Sequence, residues 1–159
     1  MTSSHWQRLY RAEIAAPPAT IFELLADLPN YSRWLPPSSA YATTTEVEPY
    51  PVRLGSRYHD GKPAEPGKDW WGTVTRFEPP NSLDFEHTIR VSQLRATVDA
   101  HIQYSIEPTE SHTLVTRVLV LDIRMPAALR ALRVAITAAF DKENVRTMSA
   151  LKGYAESHP

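Results

Sequence analysis

The hydrophobic pattern of this chain changes period twice. Trp6, Tyr10, Ala12 and Ile14 fall in one row of residues 6–14, with Arg8 among them, and this alternation predicts a first strand. Helical spacing follows. Pro17-Pro18 opens a segment running through Asp27, with Ile21, Phe22, Leu24, Leu25 and Leu28 as its apolar side. Proline suits that opening because the first helical residues have no intrahelical acceptor to lose. Pro29-Asn30 ends the segment, and Tyr31-Ser32-Arg33-Trp34-Leu35 predicts a second short helix closed by Pro36-Pro37. Strands are predicted at 42–48, 53–60, 70–78, 83–91, 95–107 and 113–124. Asp60-Gly61 begins a Gly/Pro loop to Lys68, Pro79-Pro80-Asn81 makes a corner, and 108–111 separates the last two strands. Residues 126–156 return to helical spacing, with Leu129, Leu132, Ile136, Phe140, Met148 and Leu151 on one stripe. At roughly 1.5 Å per residue that helix spans about 45 Å. Truncating Phe140, on this buried stripe, is expected to cost roughly 3–5 kcal/mol.

Short connections between successive strands imply antiparallel hairpins. The order is one strand, two short helices, six strands and a long helix, an α+β pattern with the helices on one side of a curved sheet. The 159 residues contain no repeat and no linker, so one domain over 1–159 is expected. There is no cysteine, which excludes disulfides, zinc–thiolate sites and cysteine nucleophiles. A net charge of −1, from 17 basic and 18 acidic residues, lacks the footprint of a nucleic-acid binder. No stretch approaches the ~20 apolar residues of a membrane span. The opening Met-Thr-Ser-Ser-His-Trp lacks the apolar core of a secretory signal, so a cytoplasmic location is expected.

Several segments carry a family resemblance. The opening Ala16-Pro17-Pro18-Ala19-Thr20-Ile21-Phe22-Glu23-Leu24-Leu25, the segment Tyr31-Ser32-Arg33-Trp34-Leu35-Pro36, the hairpin from Gly72-Thr73-Val74 to Pro79-Pro80-Asn81-Ser82-Leu83, and the ending with Leu151-Lys152-Gly153-Tyr154 resemble the START/Bet v 1-like superfamily. The likeness is closest to bacterial polyketide cyclase/dehydrase-like proteins and covers nearly the whole chain. It implies a helix-grip fold: a seven-stranded antiparallel sheet curled around the C-terminal helix, with a cavity between them roofed by the two short helices. It further implies binding of lipids, sterols, polyketides or hormones, or cyclisation and dehydration of polyketides. Fold alone does not choose among these.

The candidate residues are polar groups in apolar rows. His87 shares a strand face with Leu83, Phe85 and Ile89, and its ordinary pKa suits acid/base work. Tyr104 lies in the row Leu94, Ala96, Val98, Ala100, Ile102, Tyr104, Ile106, whose alanines leave room for a ligand. Arg117 points inward if Val115, Leu119 and Leu121 do; in the opposite register it is solvated. Asn144 falls on the stripe of the long helix between Phe140 and Met148. Trp34, Tyr58, Trp71, Phe85, Ala100, Ile136 and Phe140 are candidate walls, and of Trp70 and Trp71 only one faces inward. Each has an ordinary reading too: a core histidine, a tyrosine at a strand end, an asparagine satisfied by backbone, aromatics that only pack. Asp141, Lys142, Glu143 and Arg146 read as a solvated helix face.

No glycine-rich loop and no nucleophile elbow occurs, and Asp99 with His101 lies on a polar outward face. Neither a metal nor a cofactor is expected. Three functions remain: binding of a small hydrophobic molecule, catalysis as a polyketide cyclase or dehydratase on a poly-β-ketone with His87, Tyr104 and Arg117 as catalytic groups, or a protein-interaction module. An exposed tryptophan at 70 or 71 would suit a homodimer.

Overall fold

The computed structural model describes residues 1–39, 41, 43–60 and 68–159, at 68–70 the backbone only. Seven strands form one antiparallel sheet: β1 (Thr2–Ile14), β2 (Thr44–Glu48), β3 (Arg57–Asp60), β4 (Lys68–Glu78), β5 (Ser82–Val91), β6 (Ala96–Pro108) and β7 (Thr113–Met125). Their order is β1-β7-β6-β5-β4-β3-β2, so the first strand closes against the last and each later strand pairs with its neighbour in sequence. Helix α1 (Pro18–Ala26) and a 3-10 helix (Leu28–Arg33) join β1 to β2, and helix α2 (Leu132–Ser157) follows β7. This is the helix-grip α+β architecture. The predicted loop at 61–67 lies outside the described residues. Among these, no helix is long and apolar enough to cross a membrane.

Alternation on β7 answers the question of register. Val115, Arg117, Leu119, Leu121, Ile123 and Met125 are all buried on the inner face, and β6 sends Ala96, Val98, Ala100, Tyr104 and Ile106 to the same side. Arg117 therefore points inward, directly across from Tyr104 in the β6–β7 pairing.

The core is continuous along the inner face of the sheet, and its most completely buried residues include a group beneath the end of α2. Ile14, Ile21, Leu25, Leu83, Ile106, Leu151 and Ala155 are completely or almost completely buried there, under the C-terminal half of α2. The predicted stripe splits along the helix. Met148 and Leu151 are buried, Ile136 and Phe140 only half-buried, and Leu132 is 39 % exposed. The N-terminal half of α2 stands off the sheet.

Several boundaries differ from the pattern, and β1 begins at Thr2 rather than 6. Pro126 is extended and leads into a 3-10 turn over Ala127–Leu129, so the long helix begins at Leu132 rather than 126. The third strand begins at Arg57 rather than 53, because Gly55 at φ +85° turns the chain and Ser56 N–H closes onto Arg53 C=O at 3.0 Å. The second short helix is a 3-10 segment starting at Leu28, not an element over 31–35. The acidic and basic residues of α2 are also more than a solvated face. Asp141 accepts from Tyr10 Oη at 2.7 Å, and Glu143 accepts from Ser38 Oγ at 3.1 Å and from Arg146, fastening the helix to β1 and to the segment before β2.

Candidate functional site

Where α2 leaves the sheet, a chamber of about 420 Å³ opens against the inner faces of β3, β5, β6 and β7. Ala100 and Ile102 of β6 give it depth, Phe85, Ile89 and Leu119 form apolar wall, and Leu28, Tyr31 and Leu35 form the roof beside Ile136, Ala139 and Phe140. Its size falls within the range of about 300–1,000 Å³ usual for small-molecule sites. Two polar clusters interrupt the apolar lining.

The first spans three strands. Tyr58 on β3 pairs with Gly72 on β4, and Gly72 pairs with His87 on β5. The missing side chain at Gly72 lets the Tyr58 ring cross β4, and its hydroxyl meets His87 Nε2 at 2.6 Å. His87 Nδ1 faces Asp60 Oδ2 at 3.7 Å, an ion-pair distance too long for a hydrogen bond. Thr44 donates to Asp60 Oδ1 at 2.7 Å, so Tyr41, 3.0 Å from the Thr44 hydroxyl, supplies the hydrogen of that contact. Burial, and secondarily the positive charge of Arg117, lowers the His87 pKa to about 4, so the ring is neutral at pH 7. Burial raises the Asp60 carboxyl to about 7, with the Thr44 hydrogen bond partly opposing it. The Tyr58 phenol is pushed well above its usual range, again first by burial. With its hydrogen on Nδ1, the neutral His87 would turn that N–H toward Asp60 and accept from Tyr58 at Nε2.

The second cluster is Arg117, Tyr104 and Asn144. Arg117 is 8 % exposed. Its Nε donates to Asn144 Oδ1 at 2.6 Å and its Nη1 donates to Tyr104 Oη, with the guanidinium carbon 5.0 Å from the Tyr104 ring centre. Asn144 Nδ2 donates to Phe140 C=O at 2.7 Å, which fixes the amide so that its oxygen faces the arginine. That network explains a polar residue on the apolar stripe of α2.

The family profile described as polyketide cyclase / dehydrase and lipid transport matches residues 9–156. The chain belongs to that family. Members of the polyketide cyclase/dehydrase and lipid transport family fall within the START/Bet v 1-like superfamily, as the sequence motifs suggest. Solved structures agree in fold. An uncharacterized protein from Rhizobium leguminosarum is 11 % identical with a TM-score of 0.71, covering 99 % of this chain and 98 % of its own. Norcoclaurine synthase from Thalictrum flavum is 13 % identical with a TM-score of 0.67, covering 98 % and 89 %. The di-domain ARO/CYC StfQ from the steffimycin biosynthetic pathway is 13 % identical with a TM-score of 0.73; 96 % of this chain matches 52 % of that longer one. At these identities the likeness is one of fold. No curated protein sequence matches the chain.

In this family member the chamber gathers His87, Tyr104, Arg117, Tyr58, Phe85, Ala100, Ile136, Phe140 and Asn144. Trp34 and Trp71, both expected at the wall, lie elsewhere. Trp34 is buried between elements, donating from Nε1 to Leu24 C=O at 3.2 Å and packing 4.8 Å from the Tyr31 ring. Trp71 is on the outer face of β4, half-buried against its own chain, with Arg57 at 5.2 Å and His59 at 5.1 Å. Gly72 takes the inward position beside it, so the indole cannot. The side chain of Trp70 lies outside the described residues. Sequence reasoning missed Asp60, Thr44, Tyr41 and Tyr31. Asp60 carried a usable signal: it is two residues from Tyr58 and so shares its strand face, but it reads as the opening of the Asp60-Gly61 turn.

Proposed function

We propose that the protein binds a small, largely apolar molecule in the chamber between the sheet and α2, oriented by its oxygen atoms. The observation that carries this reading is a mainly aliphatic and aromatic lining interrupted by two hydrogen-bonded polar clusters. Apolar walls supply affinity and the few polar groups supply orientation. Ala100 is 2 % exposed and faces the space, so Ala100→Phe fills it from within. Titration with the neutral fluorophore N-phenyl-1-naphthylamine tests the reading. The wild type should bind the dye and the folded Ala100→Phe variant should lose most of that binding; equal binding by both would place the dye elsewhere.

A second reading, cyclisation or dehydration of a poly-β-ketone, is favoured by the chain Tyr58–His87–Asp60. If the Tyr58 O–H turns from His87 Nε2 to donate to a ligand carbonyl, Nε2 is left to accept the α-hydrogen as the C–H bond breaks, while Arg117 and Tyr104 face the charge developing on the enolate oxygen. His87→Ala and Tyr104→Phe should then lower turnover of such a substrate more than they lower melting temperature. Equal melting loss with unchanged turnover would assign both residues to packing.

A further inference from the structure

The charge balance of the chamber narrows the ligand further. Arg117 is more than nine-tenths buried and its guanidinium faces the space. Both of its protein acceptors are neutral: the Asn144 amide oxygen and the Tyr104 hydroxyl. Among the described residues no carboxylate lies within ion-pairing distance of it. The two acids that line the chamber are engaged elsewhere. Asp60 accepts from Thr44 and faces His87, and Glu143 accepts from Ser38 and Arg146. A buried cation without a counter-ion is held at a large desolvation cost unless something anionic completes it.

We infer that the chamber takes a monoanionic, otherwise apolar molecule whose carboxylate sits against Arg117 and the Tyr104 hydroxyl. Because Tyr104 accepts from Arg117, its own O–H hydrogen points away and is free to donate to the same anion. The remaining N–H groups of the guanidinium supply charge-assisted bonds in the planar arrangement that suits a carboxylate. Nothing comparable awaits a second negative group. The other polar cluster offers a neutral imidazole and a carboxyl side chain, so it repels a second anion or leaves it unpaired. The apolar body of the ligand then lies toward Ile89, Val98 and Leu94.

This inference rests on the cavity-binding reading, and one experiment separates their failures. N-phenyl-1-naphthylamine bound to the wild type at pH 8 is displaced by decanoate or by decan-1-ol, which share a chain and differ in charge. Decanoate should displace the dye at least tenfold more effectively. Arg117→Met should abolish that preference, and Arg117→Lys should keep part of it. An alcohol that competes as well as the acid against the wild type overturns the inference even if neither variant folds; so does a preference that survives Arg117→Met. Failure of the wild type to take up the dye would overturn the cavity reading itself, and this inference with it.

Discussion

Tyr58 lies across the α-carbon of Gly72, and a side chain at that glycine would overlap the Cζ of its ring. The two residues are register partners on β3 and β4, and the ring continues over β4 to His87 on β5. An aromatic covering a strand glycine both packs the sheet and, here, carries a hydroxyl across a whole strand to its partner. The first polar cluster depends on the glycine for its geometry.

Gly72→Ala should therefore cost about 1–3 kcal/mol, as for overpacking of a tight core, and should break the Tyr58–His87 hydrogen bond. Gly55→Ala is the control. It meets open space but forces alanine to φ +85°, so it should lose stability through backbone strain alone. Denaturant unfolding measures both costs. His87 imidazole resonances should move in the first variant and stay in the second; unmoved resonances in Gly72→Ala would mean that Tyr58 does not depend on the glycine.

The pH dependence of stability follows from two opposed shifts. His87 is depressed from 6.5 to about 4, so its neutral burial favours the fold above 6.5 and that advantage is lost as pH falls toward 4. Asp60 is raised from 3.8 to about 7, so its contribution is full below 3.8 and is lost as pH rises through 7. Between about pH 4 and 6.5 the unfolded chain carries the proton on the histidine and the folded chain on the aspartate, and the two slopes cancel. Asp60→Asn should expose the His87 slope, with stability rising by up to ~1.4 kcal/mol per pH unit over that window. His87→Gln should expose the opposite slope. Urea midpoints from pH 4 to 7 measure both; two flat profiles would mean that neither group titrates differently in the folded chain.

Helix α2 should show two energetic halves. Leu151 is fully buried, and Leu151→Ala should cost about 2–5 kcal/mol. Phe140 is half-buried at the chamber, so Phe140→Ala should cost less than about 2 kcal/mol, well under the usual loss for a core aromatic. Chemical denaturation of the pair decides the matter. A larger loss at Phe140 than at Leu151 would mean that the space beneath it is filled.

Asn144 holds Arg117 in place, and Asn144→Leu leaves the buried arginine Nε–H without its acceptor. The expected loss is about 1–3 kcal/mol. Asn144→Asp instead supplies a carboxylate to the arginine, and it should erase the preference for decanoate over decan-1-ol while leaving dye uptake intact. A preference unchanged in Asn144→Asp would show that Arg117 does not select the charge.

Much of the fold is legible in the sequence because periodicity survives in the strands: β6 alternates, and the row containing Ala100 and Tyr104 faces inward as its spacing predicts. Arg117 could not be oriented the same way. β7 lies between β1 and β6, and its outer valines, Val118 and Val120, are themselves half-buried by neighbours, so both faces look apolar. The site depends on relations that no local pattern encodes. Tyr58 reaches His87 only because of Gly72 on the intervening strand, and Asn144 meets Arg117 only through the placement of α2 over β7. Trp34 and Trp71 mislead for the complementary reason, since a large aromatic signals burial without saying against what.

The central claim is an open, apolar chamber beneath the first half of α2, and its most direct test is a methyl NMR titration of the protein with N-phenyl-1-naphthylamine. Saturable shifts are predicted at Ala100, Ile102, Leu119 and Ile136, which line the space, and not at Leu151 in the packed end or at exposed Val134. Shifts confined to Val134 and other surface methyls, with Ala100 and Leu119 unmoved, would contradict it.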